Sequence, residues 1–279
     1  MTAFPVPTDQ EFLTESARFL RTCDRHCSCA TGWHFIWSAY KASGRRRSIY
    51  YQQPQLSALL APIQGRIRKV LVAGTADAGI LQVLDSILGE GVDYVVFDIC
   101  EAPLQEVRHH ARQAGIRVRC TQVSLQEFRA DETFDLVFVH NTLCFLDPES
   151  AGAVLRELRR AITPGGHMAC GMRYDLVPPR WTADSAAELV QEIRAMLAHT
   201  FGPGSALGAL VEPHLAAYAH SRAPGQRPAY SPDAFLAMVA QAGYRSVGAY
   251  QDQSTPSSIL STAPNQAAPR SDVYLLQPT

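Results

Sequence analysis

The sequence alternates short apolar segments with amphipathic ones between residues 66 and 172, and this alternation constrains the fold most. The predicted strands cover 69–73, 94–97, 116–120, 134–140 and 167–171. The predicted helices between them cover 77–88, 101–114 and 149–162. Strands buried on both faces have such continuous apolar sequences, and alternation with helices requires right-handed crossovers. We therefore predict a doubly wound α/β sheet with a ligand at the carboxyl ends of its strands.

Composition and charge exclude several classes of protein. Hydrophobic residues make up 47% of the 279 residues and charged residues 18%, which suits a globular core and excludes charge-driven disorder. The net charge of −1 predicts no nucleic-acid partner, because duplex-binding surfaces usually carry a basic excess. Long apolar runs are interrupted, and residues 1–10 do not resemble a secretory signal. Seven cysteines, an odd number, suggest reduced thiols, so we predict a cytoplasmic protein without a membrane partner.

A loop of small residues, 74–79, follows the first predicted strand and precedes a helix. Small residues let a ligand approach the backbone, and a helix N-terminus offers N–H groups and a positive dipole. Asp98 ends the second strand, where a carboxylate can accept both ribose hydroxyls of an adenosine. The loop alone leaves open an ordinary tight turn, a NAD pyrophosphate site or a site for another adenosine cofactor.

The order of six segments is typical of one known family. These segments are 70–79 with its glycines, 95–98 with its acidic end, 134–140, 158–167 with its Pro-Gly-Gly turn, 231–244 and 272–276. Together they resemble the class I S-adenosylmethionine-dependent methyltransferases. The resemblance implies a mostly parallel seven-stranded sheet with 272–276 as its antiparallel strand. It also implies an N-terminal helical lid over 1–65 and a core over 66–279 with a helical insertion at 173–228. Residues 252–270 are predicted to form a long loop.

The resemblance implies S-adenosylmethionine as the cofactor and assigns residues to it. Those residues are Gly74, Thr75, Ala76, Asp98, Ile99, Ser124, Leu125, His140, Tyr51 and Gln53. The chain departs from the family pattern at Val72, where an acidic residue is common, and at Ala76 and Ala78, where glycines are common. Ser124 also replaces a common acidic residue near the adenine. These departures put the expected affinity for the cofactor in question more than the prediction that the cofactor is S-adenosylmethionine.

The resemblance places the substrate between the end of the fourth strand and the helical lid. The residues predicted to face it are Trp33, His34, Trp37, Tyr40, Asn141, Arg173, Tyr174, His214 and Tyr218. His140 is the predicted general base, with substrate orientation or a backbone contact to the cofactor as alternatives. The aromatic residues at 33, 37 and 40 share a helix face, so a place in the core is an alternative for them. The insertion forms either a lid or a packing or dimer element.

Cys23, Cys27 and Cys29 raise the question of a metal site, together with His26 and His34. Their spacing does not match the paired short loops of a structural zinc site. Cys23 and Cys27 share a helix face, where a free cysteine acts as a small apolar residue. We therefore predict no metal, and we expect the other four cysteines to lie in the core.

The predicted activity is methyl transfer from S-adenosylmethionine to an oxygen or nitrogen of a small, partly apolar metabolite, as in natural product biosynthesis. The product would be S-adenosylhomocysteine, and a homodimer is possible for such an enzyme. Three alternatives remain open at this point. They are a non-catalytic partner subunit that keeps the fold, a NAD-linked oxidoreductase and a metal-binding regulatory module that depends on the N-terminal cysteines.

Overall fold

The computed structural model describes residues 7–44, 49–174, 183–221, 230–252 and 270–279. Residues 253–269 of the predicted loop at 252–270 and parts of the predicted insertion therefore lie outside the described residues. The strands in the described ranges are β1 (Lys69–Ala73), β2 (Asp93–Asp98), β3 (Arg117–Gln122), β4 (Phe134–His140), β5 (Ile162–Tyr174), β6 (Tyr244–Asp252) and β7 (Arg270–Pro278). Each of the five strands predicted from apolar runs is present.

The described strands form one seven-stranded sheet in the order β3-β2-β1-β4-β5-β7-β6. All neighbours among β1 to β5 pair in parallel, and β7 is antiparallel to both β5 and β6. This is the predicted doubly wound sheet with its antiparallel strand near one edge. The strand order reverses direction between β1 and β4, so the loops after these two strands diverge and leave a crevice at the carboxyl ends.

Helices cover both faces of the sheet and its carboxyl edge. Within the described residues they are α1 (Asp9–His26), α2 (Trp33–Ala42), α3 (Gln53–Leu60), α4 (Gly79–Leu88), α5 (Glu101–Ala114), α6 (Pro148–Arg160), α7 (Ala183–Phe201), α8 (Ala206–Val211), α9 (Leu215–Ser221) and α10 (Pro232–Gln241). Two apolar clusters flank the sheet, one on the side of α6 and α10 and one on the side of α4 and α5. No described helix is both long enough and apolar enough to cross a membrane.

A third apolar cluster joins the N-terminal helices to the helices of the insertion. Its buried members come from α1, α2, α7, α8 and α9, with contributions from the start of α5. The N-terminal segment and the insertion, which are far apart in sequence, therefore pack into one helical layer. We call this layer, formed by α1, α2, α7, α8 and α9, the helical cap.

Local chemistry shifts several element boundaries from their predicted positions. Helix α4 begins at Gly79 rather than at residue 77, because the Asp77 carboxylate accepts the Gly79 N–H at 2.7 Å in a turn. Within the predicted helical insertion, a 3₁₀ turn at Glu212–His214, which contains Pro213, separates α8 from α9. Strand β5 begins at Ile162, and its pairing with β4 is irregular around the Pro-Gly-Gly turn.

Candidate active site

A cavity of about 430 Å³ lies at the carboxyl edge of the sheet, beneath the helical cap. This volume is within the range of small-molecule and cofactor sites. Thirteen of the residues predicted for cofactor or substrate line it, namely Gly74, Thr75, Ala76, Asp98, Ile99, Ser124, Leu125, His140, Trp33, His34, Trp37, Asn141 and Arg173. The ends of β1, β2, β4 and β5 and the start of α2 therefore bring together residues that are up to 140 positions apart in sequence.

The loop after β1 makes a tight turn at Gly74. This residue has a φ of +83°, and its N–H donates to the carbonyl of Phe97 at 2.8 Å. A Cβ built at Gly74 would come within 2.8 Å of the Thr142 side chain, so only glycine fits this approach of the two loops. The turn leaves the backbone of Thr75 and Ala76 facing the cavity.

Asp98 ties the ends of β1 and β2 together. Its carboxylate accepts the N–H of Thr75 at 3.0 Å and the N–H of Cys100 at 2.8 Å, each through a different oxygen. Burial raises the pKa of Asp98, and the two backbone N–H groups oppose that rise. Each carboxylate oxygen can accept more than one hydrogen bond, so Asp98 keeps acceptor capacity for a hydroxyl pair in the cavity.

A buried ion pair connects the helical cap to the loop after β1. The Lys41 ammonium of α2 lies 2.9 Å from one Asp77 oxygen and 3.3 Å from Glu15 of α1. The same Asp77 oxygen accepts the indole N–H of Trp37 at 3.0 Å. Burial alone would raise the pKa of Asp77, but Lys41 and the hydrogen bonds from Lys41, Gly79 and Trp37 hold it below its ordinary value. No role of Lys41 or Asp77 was predicted from the sequence.

His140 ends β4 and faces the cavity. Its Nε2 lies 2.9 Å from the side-chain oxygen of Gln52, which also accepts the hydroxyl of Tyr250 at 3.4 Å. This contact with an acceptor oxygen favours the tautomer that carries the hydrogen on Nε2, in which Nδ1 is the basic nitrogen. A Cβ at Gly171 would meet the imidazole at 2.8 Å, so this neighbour on β5 must be glycine for the ring to occupy its place.

Asn141 stands out in backbone conformation and in hydrogen bonding. Among the described non-glycine residues it alone has a positive φ, at 53°. Its buried Oδ1 has no hydrogen-bond partner among the described residues, although Asn141 lines the cavity. A strained residue with an unsatisfied buried acceptor is typical of a site that binds a polar group of a ligand.

The aromatic residues of α2 divide between the cavity and the core. Trp33 and Trp37 line the cavity and stack on each other with ring centroids 5.6 Å apart. Tyr218 stacks behind Trp33 at 6.0 Å, and Tyr40 contacts Tyr218 edge-on. The two tryptophans thus form a wall of the cavity that the buried tyrosines support from behind.

Six predicted site residues lie outside the described lining of the cavity, and these assignments are corrected. Tyr40, Tyr174 and Tyr218 are fully buried in the core, where the Tyr174 hydroxyl contacts that of Tyr274 at 3.0 Å. His214 stacks on Phe35 with centroids 3.8 Å apart. Tyr51 points to solvent with 45% of its surface exposed, and Gln53 donates to Ser86.

Gln52 takes the place that was predicted for Tyr51 and Gln53. A 3₁₀ turn at Ile49–Gln52 directs its side chain into the cavity. Cys144, predicted to lie in the core, also lines the cavity, as does Thr142. Polar residues directly after β4 were the available signal for Thr142, whereas no sequence pattern reveals the direction of one side chain in a short 3₁₀ turn.

Three metal-ligating side chains cluster beside this cavity. The Cys27 thiol lies 3.2 Å from the Cys29 thiol and 3.3 Å from Nδ1 of His34. Contacts with Cys27 and His34 lower the pKa of Cys29, whereas the pKa of Cys27 is raised. All seven cysteines of the chain are free. The sequence spacing argued against a metal here, but it could not show that His34 closes onto the thiols.

Comparison with known proteins agrees with the fold. Residues 70–166 match the family model described as a methyltransferase domain, and this range runs from β1 into the turn at the start of β5. The chain therefore contains a segment that matches a methyltransferase domain, in agreement with the family that its motifs resemble. No curated protein sequence matches it.

Solved structures show the same fold at low sequence identity. The N-methyltransferase NodS from Bradyrhizobium japonicum, in complex with S-adenosyl-L-homocysteine, is 13% identical with a TM-score of 0.51, covering 82% of this chain and 86% of its own. Magnesium protoporphyrin IX methyltransferase from Synechocystis is 12% identical with a TM-score of 0.51, covering 89% and 93%. A methyltransferase from Leishmania major is 11% identical with a TM-score of 0.53, covering 97% and 85%.

Proposed function

We propose that the cavity binds S-adenosylmethionine and that the enzyme transfers its methyl group to an oxygen or nitrogen of a small, partly apolar molecule. The observation that carries this proposal is the junction of Gly74, Thr75 and Asp98 at one end of the cavity. The Thr75 N–H donates to Asp98 at 3.0 Å, so the turn after β1 and the acid after β2 form one surface. The methyltransferase family match and the complex of NodS with S-adenosyl-L-homocysteine support this choice of cofactor over NAD.

The residues present suit the chemical groups of this cofactor. Asp98 would accept the ribose hydroxyls, each such charge-assisted bond contributing about 1.5–3 kcal/mol. Ile99, 64% exposed although large and apolar, lies in the cavity lining, where an adenine ring would cover it together with Leu125. The bound cofactor would supply an electrophilic methyl group on a sulfonium.

The other end of the cavity suits a small acceptor. Trp33 and Trp37 offer a flat apolar wall, while Arg173 and Asn141 offer polar groups that can orient a substrate. The helical cap lies over this end and would exclude water from the methyl group in transit. These features support a small, partly apolar substrate. The homodimer and the cytoplasmic location stay predictions from the sequence.

His140 is proposed to take the proton from the acceptor. The contact of Nε2 with the Gln52 side chain would orient the imidazole, and we assign the role of base to Nδ1. As the hydroxyl or amine attacks the methyl carbon, its proton would pass to Nδ1. A single positioned base contributes about 10²–10⁴ to the rate of such steps.

The experiment that tests this function is methyl transfer from labelled S-adenosylmethionine to a panel of small phenols, alcohols and amines, with S-adenosylhomocysteine as the measured product. We expect at least one acceptor to be methylated, and we expect His140→Ala to lower kcat by about 10²–10⁴ with little change in KM. His167→Ala, at the start of β5 and outside the described lining, is the matched control and should keep its kcat.

Two results would contradict the proposal. Binding of the cofactor without transfer to any acceptor class would favour the non-catalytic subunit. Equal loss of kcat in the His140 and His167 variants would show a general effect of histidine replacement and remove the case for a base at β4.

A further inference from the structure

The cluster next to the cavity contains more metal-ligating groups than its sequence spacing suggests. The ligating atoms of Cys27, Cys29 and His34 all lie within 4.8 Å of one another. Cys27 directly follows α1, Cys29 lies in the loop that follows, and His34 lies in the first turn of α2. The short loop between the two helices thus folds its thiols onto the imidazole.

A fourth thiol lies beside the cluster. Cys100 is fully buried at the N-cap of α5, and its thiol lies 3.8 Å from the carbonyl oxygen of His26, the residue before Cys27. Contacts with Cys27 and His34 lower the pKa of Cys100. Together with Cys100, the group would join two parts of the chain that are more than 60 residues apart and would offer three sulfurs and one imidazole nitrogen, a donor set typical of tetrahedral zinc.

A place in an apolar core does not explain this arrangement. Buried free cysteines usually pack as small apolar groups, as Cys170 does in the cluster flanking the sheet. Here the thiols face one another and a buried imidazole at 3.2–3.3 Å, although thiols are weak hydrogen-bond donors. Ligands of a tetrahedral zinc ion lie about 3.7 Å apart, so shifts of about half an ångström would bring the Cys27–Cys29 and Cys27–His34 pairs to that spacing.

We propose that Cys27, Cys29, His34 and Cys100 form a closed, structural Zn²⁺ site that fastens the helical cap to the cofactor edge of the sheet. Four protein ligands fill a tetrahedral ion and leave no open position for substrate. This inference does not depend on methyl transfer, because it rests on the ligands alone.

The position of the site gives it a consequence for the cavity. The Cys100 N–H donates to Asp98 at 2.8 Å, and Cys29 and His34 line the cavity. An ion held by these residues would fix the loop after β2 and the start of α2 together. Metal removal should therefore loosen the helical cap.

The direct test is metal analysis of the full-length protein purified without chelators. We expect about one zinc per chain and, after exchange with Co²⁺, thiolate-to-cobalt charge-transfer absorption. Cys27→Ser and Cys100→Ser should each lose at least about tenfold in zinc affinity, while Cys120→Ser and Cys170→Ser serve as matched controls that keep it. Zinc below about one tenth of an equivalent after incubation with Zn²⁺, or a cobalt complex without thiolate bands, would overturn the proposal.

A second measurement needs no variant, in case the serine variants do not fold. Thiol alkylation of the unmodified protein, mapped by mass spectrometry, should show Cys27, Cys29 and Cys100 protected until a chelator is added. Cys120, half-buried on β3, is the internal control and should react equally in both states. Protection that a reductant removes and a chelator does not would reveal a disulfide and refute the metal site.

Discussion

Gly74 and Asp98 show how far single residues can be interpreted from sequence. Both were predicted because a small residue after one strand and an acid after the next are required by an adenosine site at parallel strand ends. The structure brings them together through the hydrogen bond from Thr75 to Asp98. Gly74 has an additional reason to be glycine, the approach of Thr142, which no local pattern contains.

Gly74→Ala should weaken cofactor binding by about tenfold or more. Alanine at a φ of +83° is strained by about 1–2 kcal/mol, and its Cβ would push Thr142 away from the turn. Gly115→Ala is the matched control, because Gly115 has a φ of +71° with no atom within 4 Å of the built Cβ. Both variants should lose thermal stability, but only the first should lose affinity for S-adenosylhomocysteine in calorimetry.

Equal affinity of the two alanine variants would contradict the role given to the turn at Gly74. The comparison separates an effect on the cofactor site from a general effect of strain, because both substitutions impose similar backbone strain.

Gln52 shows what could not be predicted from the sequence about single residues. The prediction named its neighbours Tyr51 and Gln53, since a 3₁₀ turn of four residues has no periodicity from which side-chain directions can be inferred.

Helix α2 lines the cavity, and a charged side chain attaches this helix to the loop after β1. Lys41 is buried at 4% exposure and lies between Asp77 of the loop after β1 and Glu15 of α1. Removing one partner of such a pair leaves an uncompensated buried charge, which costs about 3–5 kcal/mol. This cost makes the ion pair a sensitive test of how α2 is attached.

Lys41→Met should lower the free energy of unfolding by about 3–5 kcal/mol at pH 7. The double variant Lys41→Met/Asp77→Asn should recover part of that loss, because no unpaired charge remains at the loop. Arg194→Met is the matched control, since its pair with Glu212 is nearly half exposed and should cost less than about 1 kcal/mol. Urea unfolding measures all three, and strictly additive losses in the double variant would contradict the coupling.

The same pair predicts a dependence of stability on pH. The pKa of Asp77 in the folded chain lies below its ordinary value of 3.8, so its contribution is present above that value and is lost as pH falls through the folded pKa. Burial would lower the pKa of Lys41, but Asp77 and Glu15 raise it above 10.5. Its contribution is therefore present below 10.5 and is lost as pH rises through the folded pKa. The difference between wild type and Asp77→Asn should be largest between these limits.

At the scale of the whole molecule, the sheet and the presence of a helical lid could be predicted, whereas the packing of the N-terminal helices against the insertion could not. Continuous apolar strands alternating with helices specify a parallel sheet through local sequence. The cap depends on contacts between α1, α2 and the helices of the insertion, which lie about 150 residues further along the chain. Lys41 and Asp77 are 36 positions apart and Cys27 and Cys100 are 73 positions apart, so neither pair could be predicted from local spacing.

The most direct test of the account is calorimetric titration of the full-length protein with S-adenosylhomocysteine and, separately, with NAD. We expect the first to bind and the second not to bind. Asp98→Asn should weaken binding by at least about tenfold, which is about 1.4 kcal/mol. Asp93→Asn, at the opposite end of β2 and 5 positions away, should bind like wild type. Absence of S-adenosylhomocysteine binding in the wild type, or equal affinity of the two variants, would contradict the assignment of this cavity to the cofactor.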